Sequence, residues 1–197
     1  MSDATDQYRQ LRKGTDGNAG LLVDIHCKHL ACRPGCHDCC TDLTVSPVEY
    51  TAILEDLRAA GVTNDDLPPV EPSAACAFLN DGLCGLYRFR PLICRTHGLP
   101  IAFVNDVPSP PEVSVSFCPK NFTADDAADL DFGPDNTLDL DILNAALALA
   151  NAQFVEERAG LNAKATDADA SVLRRIPLRQ LRADLALEPP SPCRPSL

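Results

Sequence analysis

Tryptophan is absent from this chain of 197 residues, methionine occurs once, and aromatic residues make up only 5% of it. A core built from such a sequence lacks large anchors, and its 45% apolar fraction leans heavily on alanine. A bound metal would offset that shortage, because the free energy of metal binding is also folding free energy. No apolar run approaches the roughly 18 residues of a membrane-spanning helix, so no membrane association is expected. The opening MSDATDQYRQLRKG has no apolar stretch of the signal-peptide kind, and the chain therefore reads as cytoplasmic. Excess positive charge is missing too. The net charge is −11, which would repel phosphates, so nucleic acid is not an expected partner. Glycine-rich phosphate loops, G-x-S-x-G and H-E-x-x-H do not occur, which removes the commonest nucleotide, hydrolase and metalloprotease signatures.

What the chain has in excess is cysteine, ten in all. Cys27, Cys32, Cys36, Cys39 and Cys40 form a first group, with four of them inside the run CRPGCHDCC. Cys76, Cys84, Cys94 and Cys118 form a second, more widely spaced group, and Cys193 stands apart in the tail. In a cytosolic chain stable disulfides are rare, and clustered cysteines more often bind metal or do redox work. Cys36-x2-Cys39 has a spacing at which both sulfurs can face one ion, and thiolates suit zinc or iron–sulfur iron. Adjacent side chains such as those of Cys39 and Cys40 tend to diverge, so the two sulfurs could serve different metal atoms. Eight thiolates (Cys32, Cys36, Cys39, Cys40, Cys76, Cys84, Cys94 and Cys118) would suffice for two four-cysteine sites or one polynuclear cluster. Spacing does not assign them. A disulfide-stapled domain and unligated or redox thiols are the competing readings.

The remaining pattern predicts a mainly α, compact, metal-centred single domain with irregular cysteine-rich loops and a small β-hairpin, α+β only in a minor sense. Residues 1–26 form a polar N-terminal segment with a short helix. Residues 27–120 form the cysteine module, with 27–40 a loop because of Pro34-Gly35. Ser46-Pro47-Val48-Glu49 is a capping box with proline at the first helical position; Tyr50, Ile53, Leu57 and Ala60 continue the helix, and Gly61 ends it. Asn80-Asp81-Gly82 is a turn that would bring Cys84 back toward Cys76. Ile101–Val104 and Val113–Phe117 predict the hairpin. Residues 121–162 supply helical support, with Leu140, Leu143, Leu147, Ala150 and Phe154 at helical spacing and Asp139 and Asp141 in the first turn. Residues 163–197 form a basic, proline-ending tail whose Leu178, Leu181 and Leu185 predict a short helix. That helix reads as solvated and arginine-bearing.

The second cysteine group carries a longer signature: Cys76, Phe78, Leu79, Gly82, Cys84, Tyr87, Arg90, Pro91, Cys94 and Arg95. Together with Cys32, Cys36, Cys39 and Cys40, it resembles the zinc- or iron-chelating domain family, the YkgJ-like cysteine-cluster proteins. The likeness spans roughly residues 27–120. It implies a protein that coordinates zinc or an iron–sulfur cluster through its cysteines, with the metal ion or cluster as its partner. A similar cysteine run occurs in flagellin lysine methylases, which keeps an iron–sulfur redox or protein-modifying enzyme among the alternatives. A zinc-stabilised structural or interaction module, with a protein partner, is another, and whether the chain is an enzyme stays open. Arg90, Arg95 and His97 flank Cys94 and are candidates to support a metal from outside its ligand set, offsetting the net −2 of four thiolates on Zn²⁺. His26, His29 and His37 also lie near cysteines, and each could replace a thiolate.

Overall fold

The computed structural model describes residues 3–70, 75–123, 130–161 and 174–187. Its frame is helical: α1 (Asp3–Ile25), α2 (Pro47–Ala59), the short α3 (Leu92–Thr96), α4 (Leu140–Leu161) and α5 (Gln180–Ala186). Seven short strands accompany them: β1 (Thr44–Val45), β2 (Leu79–Asn80), β3 (Leu83–Cys84), β4 (Ile101–Asn105), β5 (Glu112–Ser116), β6 (Leu138–Asp139) and β7 (Ile176–Pro177). This agrees with a mainly α chain carrying minor β structure. Among the described residues no helix is long and apolar enough to cross a membrane.

α2 is the central element because it is apolar on two faces. Val48 and Ala52 pack with Ala4 and Tyr8 of α1, Leu92 of α3, and Ala150 and Phe154 of α4. Tyr50, Ile53, Leu54 and Leu57 face the second cluster, with Phe78, Leu86, Leu178, Leu181 and Leu185. The capping box forms as expected: the Ser46 backbone N–H and hydroxyl donate to Glu49 Oε2 at 3.3 and 3.2 Å. The other oxygen of this buried carboxylate accepts the Tyr8 hydroxyl at 3.4 Å and the Leu92 N–H at 3.3 Å. Glu49 thus joins α1, α2 and α3 at one point, a role its place in the capping box alone does not suggest. Burial, and then the Glu49 charge, push Tyr8 well above the ordinary tyrosine value.

Three elements differ from expectation. α1 is a long helix, where the sequence predicts a short one. Its buried stripe runs Tyr8, Thr15, Leu22 at seven-residue intervals, with a threonine in the middle. Gly14, Gly17 and Gly20, each worth about 1 kcal/mol against a helix, disguise it further. β6 pairs in parallel with β4, making the expected hairpin the greater part of a three-stranded sheet, ordered β5-β4-β6. The helix after it begins at Leu140, where Asp139 Oδ1 accepts the Ile142 N–H at 2.9 Å.

The third difference is α5. Leu178, Leu181 and Leu185 are 4%, 0% and 5% exposed, so this segment docks on the protein's own core and is not a solvated helix. Arg182 fixes it there: Nε donates to the Ala77 carbonyl at 3.0 Å, Nη1 to Asn64 at 3.3 Å, and the guanidinium lies 5.2 Å from the Phe78 ring. The Tyr50 hydroxyl donates to Asp184 at 2.5 Å. Arginines that look like tail charge in the sequence are therefore partly structural. Cys193 lies outside the described residues.

Candidate metal centre

The run CRPGCHDCC folds as two successive turns. Cys36 N–H donates to the Arg33 carbonyl at 2.9 Å, and Cys40 N–H to the His37 carbonyl at 2.8 Å. Pro34 and Gly35 occupy the centre of the first turn, and Gly35 has φ +90°, the left-handed value a type II turn requires at that position. Cys39 lies inside the second turn and Cys40 closes it. Their backbones therefore leave in different directions.

On one side stand Cys32, Cys36, Cys39 and Cys118. Burial raises the Cys39 thiol above its ordinary value, and the charges that add to the effect are Cys32, Cys36 and Cys118. Cys118 arrives from the far side of the β4–β5 hairpin. Its N–H approaches the Gly98 carbonyl at 3.5 Å, and its own carbonyl accepts the Asn121 N–H at 2.8 Å. Asn121 is 1% exposed and ties three segments together. Its Oδ1 accepts the Ala31 N–H at 2.8 Å, while Nδ2 donates to the Gly98 carbonyl at 2.6 Å and to Cys32 Sγ at 3.6 Å. Gly98 is the wall of this group. It has φ +91°, and a Cβ there would stand 2.8 Å from Cys32 Sγ and 3.8 Å from Cys118 Cβ. Lys120 pairs with Asp38 across the group, with Cys36 and Cys118 also acting on its charge.

On the other side stand Cys40, Cys76, Cys84 and Cys94. The predicted turn is a two-residue hairpin with Asp81 and Gly82 both at positive φ, pairing Leu79 with Cys84, while Leu79 N–H donates to the Cys76 carbonyl at 3.1 Å. Its tip rests on the first turn of CRPGCHDCC: a Cβ on Gly82 would stand 3.2 Å from the Gly35 carbonyl oxygen. Cys76 and Cys84 pack against the core cluster of Phe78, Leu86 and Leu181. Burial pushes the Cys94 thiol up to about 12, with Cys84, Cys76 and Cys40 adding to it and Arg90 opposing. Cys40 is pushed up to about 11, first by burial, then by Cys39, Cys84 and Cys76, and it also hydrogen-bonds to Cys39. The two groups thus meet at the Cys39–Cys40 seam.

The flanking candidates separate clearly. Arg90 lies by the second group, 3.9 Å over the Tyr87 ring, and its positive charge acts on Cys84 and Cys94. Its buried Nε has no hydrogen-bond partner among the described residues. Arg95 is committed elsewhere, donating to the Arg90 carbonyl at 2.8 Å and the Arg88 carbonyl at 3.0 Å and pairing with Asp16 of α1. It thereby braces the loop that carries Arg90. His97 is half-buried, and burial lowers its pKa. His26 contacts the Asn136 carbonyl at 2.8 Å and joins His29, Phe117, Phe122 and Phe132 in an aromatic cluster. His37 turns back to the Gly35 carbonyl at 2.9 Å. Cys27 is exposed.

Residues 31–109 match the family model CxxCxxCC, a putative zinc- or iron-chelating domain. The CxxCxxCC segment spans less than half of the chain and contains every cysteine of the two groups except Cys118. That residue is added by the fold. No curated protein and no solved structure matches the chain.

The donor set fits a thiophilic metal. Nine described cysteines are free thiols, and eight of them lie in the two groups, each beside a cation, Lys120 or Arg90. Among the described residues no group of three or more His, Cys, Asp or Glu side chains already stands as a metal-holding cluster. Asn121 and Gly98 escape sequence reasoning, because a lone asparagine and a glycine outside any turn signature carry no chemical pattern. Their importance comes from residues distant in the chain.

Proposed function

We propose that this protein binds zinc or iron through cysteine thiolates, with Cys32, Cys36, Cys39, Cys40, Cys76, Cys84, Cys94 and Cys118 as donors. The observation that supports the reading is that the described cysteines are free thiols and that seven of the eight proposed donors fall within residues 31–109, which match the CxxCxxCC domain. Disulfides account for none of the described cysteines. Soft thiolates favour zinc and iron–sulfur iron over hard cations. Four thiolates on a divalent ion leave net −2, which Arg90 and Lys120 are placed to offset. Bound metal would cross-link the 32–40 loop, the 76–84 hairpin, α3 and the segment at Cys118; iron would add one-electron chemistry. Arg95 and Asn121 act as positioning residues, holding the backbone from which the thiols project.

Anaerobic purification followed by metal analysis and a visible spectrum tests the proposal. Zinc or iron at stoichiometric level, reduced in a Cys36→Ser/Cys39→Ser double variant, is the expected outcome. Metal-free protein with its cysteines in disulfides would overturn it.

A further inference from the structure

We infer that the eight thiols work as two unequal centres divided at the Cys39–Cys40 peptide bond: an exchangeable centre of Cys32, Cys36, Cys39 and Cys118 at the surface, and a structural centre of Cys40, Cys76, Cys84 and Cys94 seated on the core. This rests on the thiolate-metal reading above and adds a division of labour to it.

The division follows from what each group is built on. The surface group hangs on backbone turns and single hydrogen bonds. Cys32 and Cys39 are exposed while Cys36 and Cys118 are half-buried, the loop carrying Cys32, Cys36 and Cys39 has no regular secondary structure, and Asn121 and Gly98 supply its wall. Opening it requires little apolar surface to be uncovered. The core group cannot open so cheaply. Cys76 precedes the β2–β3 hairpin and Cys84 lies in β3, both packed against the cluster of Phe78 and Leu86, each 1% exposed, and α5 closes over this cluster through Leu181 and Arg182. Cys94 sits in α3, whose buried Arg95 is anchored on α1. Local opening free energy follows buried contacts, so metal held by the core group should leave only when part of the core opens. The Cys39–Cys40 hydrogen bond places the two centres side by side, with the peptide bond between these residues as their covalent link.

Reconstitution of the full chain with Zn²⁺ under anaerobic conditions, followed by release into excess EDTA, tests this. Two equivalents of Zn²⁺ per chain are expected. They should leave in two phases, the second at least about tenfold slower because it waits on core opening. Cys118→Ser should keep one equivalent and lose only the fast phase, with near-UV circular dichroism unchanged. Cys84→Ser should lose the slow phase and lower the melting temperature; because that variant could fail to fold, Cys118→Ser decides the matter. A single equivalent, a single phase, or loss of both equivalents in a folded Cys118→Ser variant would overturn the two-centre inference while leaving metal binding intact. Protein that takes up no Zn²⁺ would overturn the metal reading and this inference with it.

Discussion

The two cysteine groups share a chemistry and differ in their foundations. The surface group is assembled from loop ends by Asn121, a glycine and an exposed ion pair; the core group is backed by leucines and phenylalanines from α2, the β2–β3 hairpin and α5. On the proposed reading, identical ligands would therefore carry different burdens. Metal held by thiols packed on a core would stabilise the fold, whereas metal held at a surface loop would come and go with the fold intact.

The sharpest way to break this contrast is to delete one thiol from each side. Cys94→Ser should abolish cooperative thermal unfolding or lower its midpoint severely, since a structural zinc site can contribute on the order of 10 kcal/mol. Cys32→Ser should leave the melting curve near that of the parent. Equal damage from the two substitutions, read by calorimetry and metal analysis, would erase the distinction. Leu181→Ala should come next. Removing a fully buried leucine costs about 2–5 kcal/mol, and here it should also speed Zn²⁺ release from the core group without touching the surface group.

Gly98→Ala probes the other side. Left-handed backbone costs about 1–2 kcal/mol for a residue with a Cβ, and the added methyl would stand 2.8 Å from Cys32 Sγ. Urea denaturation should register a loss of that size, and metal analysis should find the surface equivalent missing. pH tests the thiolate reading by a different route. Burial holds Cys40 and Cys94 protonated near neutrality, with values about 11 and about 12, so metal must displace those protons. Apparent affinity of the core group should fall as pH falls, by about tenfold per pH unit for each displaced proton. Competition titrations with a chelator of known affinity, run from about pH 8 down to about pH 6, check the slope; a flat profile would contradict it. The smallest effect belongs to Lys120→Ala. Its partner Asp38 is exposed, so the melting temperature should not move, while Zn²⁺ uptake by the surface group becomes more sensitive to salt.

Much of the helical frame was legible because local signals agreed. The capping box at Ser46, the spacing of Tyr50, Ile53 and Leu57, and the stop at Gly61 all point to one helix, and α2 is that helix. Asn80-Asp81-Gly82 likewise specifies its own hairpin through two left-handed residues. α1 was harder to read because threonine and alanine fill its buried stripe. β6 is two residues long and owes its pairing to β4, distant in the chain. α5 was misread as solvated because arginine density masked three leucines that find a partner only after α2 and the hairpin are in place. At the candidate site, the cysteine signature was legible from spacing and from the CxxCxxCC likeness. Asn121, Gly98 and the commitment of Arg95 to Asp16 were not, since each depends on contacts between remote segments.

The sequence by itself determined the chemistry: an acidic chain poor in large aromatics, with thiols in two spaced groups and turns that place them. Turn formation is local, so a few residues are enough to specify it. Only the tertiary structure decided which thiols are neighbours. Cys39 and Cys40 are adjacent in the chain, yet the charges that bear on Cys39 are those of Cys32, Cys36 and Cys118, while Cys84 and Cys76 bear on Cys40. That partition depends on where α2, α3 and α5 bring distant loops, and their packing follows from burial of apolar surface across the whole chain rather than from any motif.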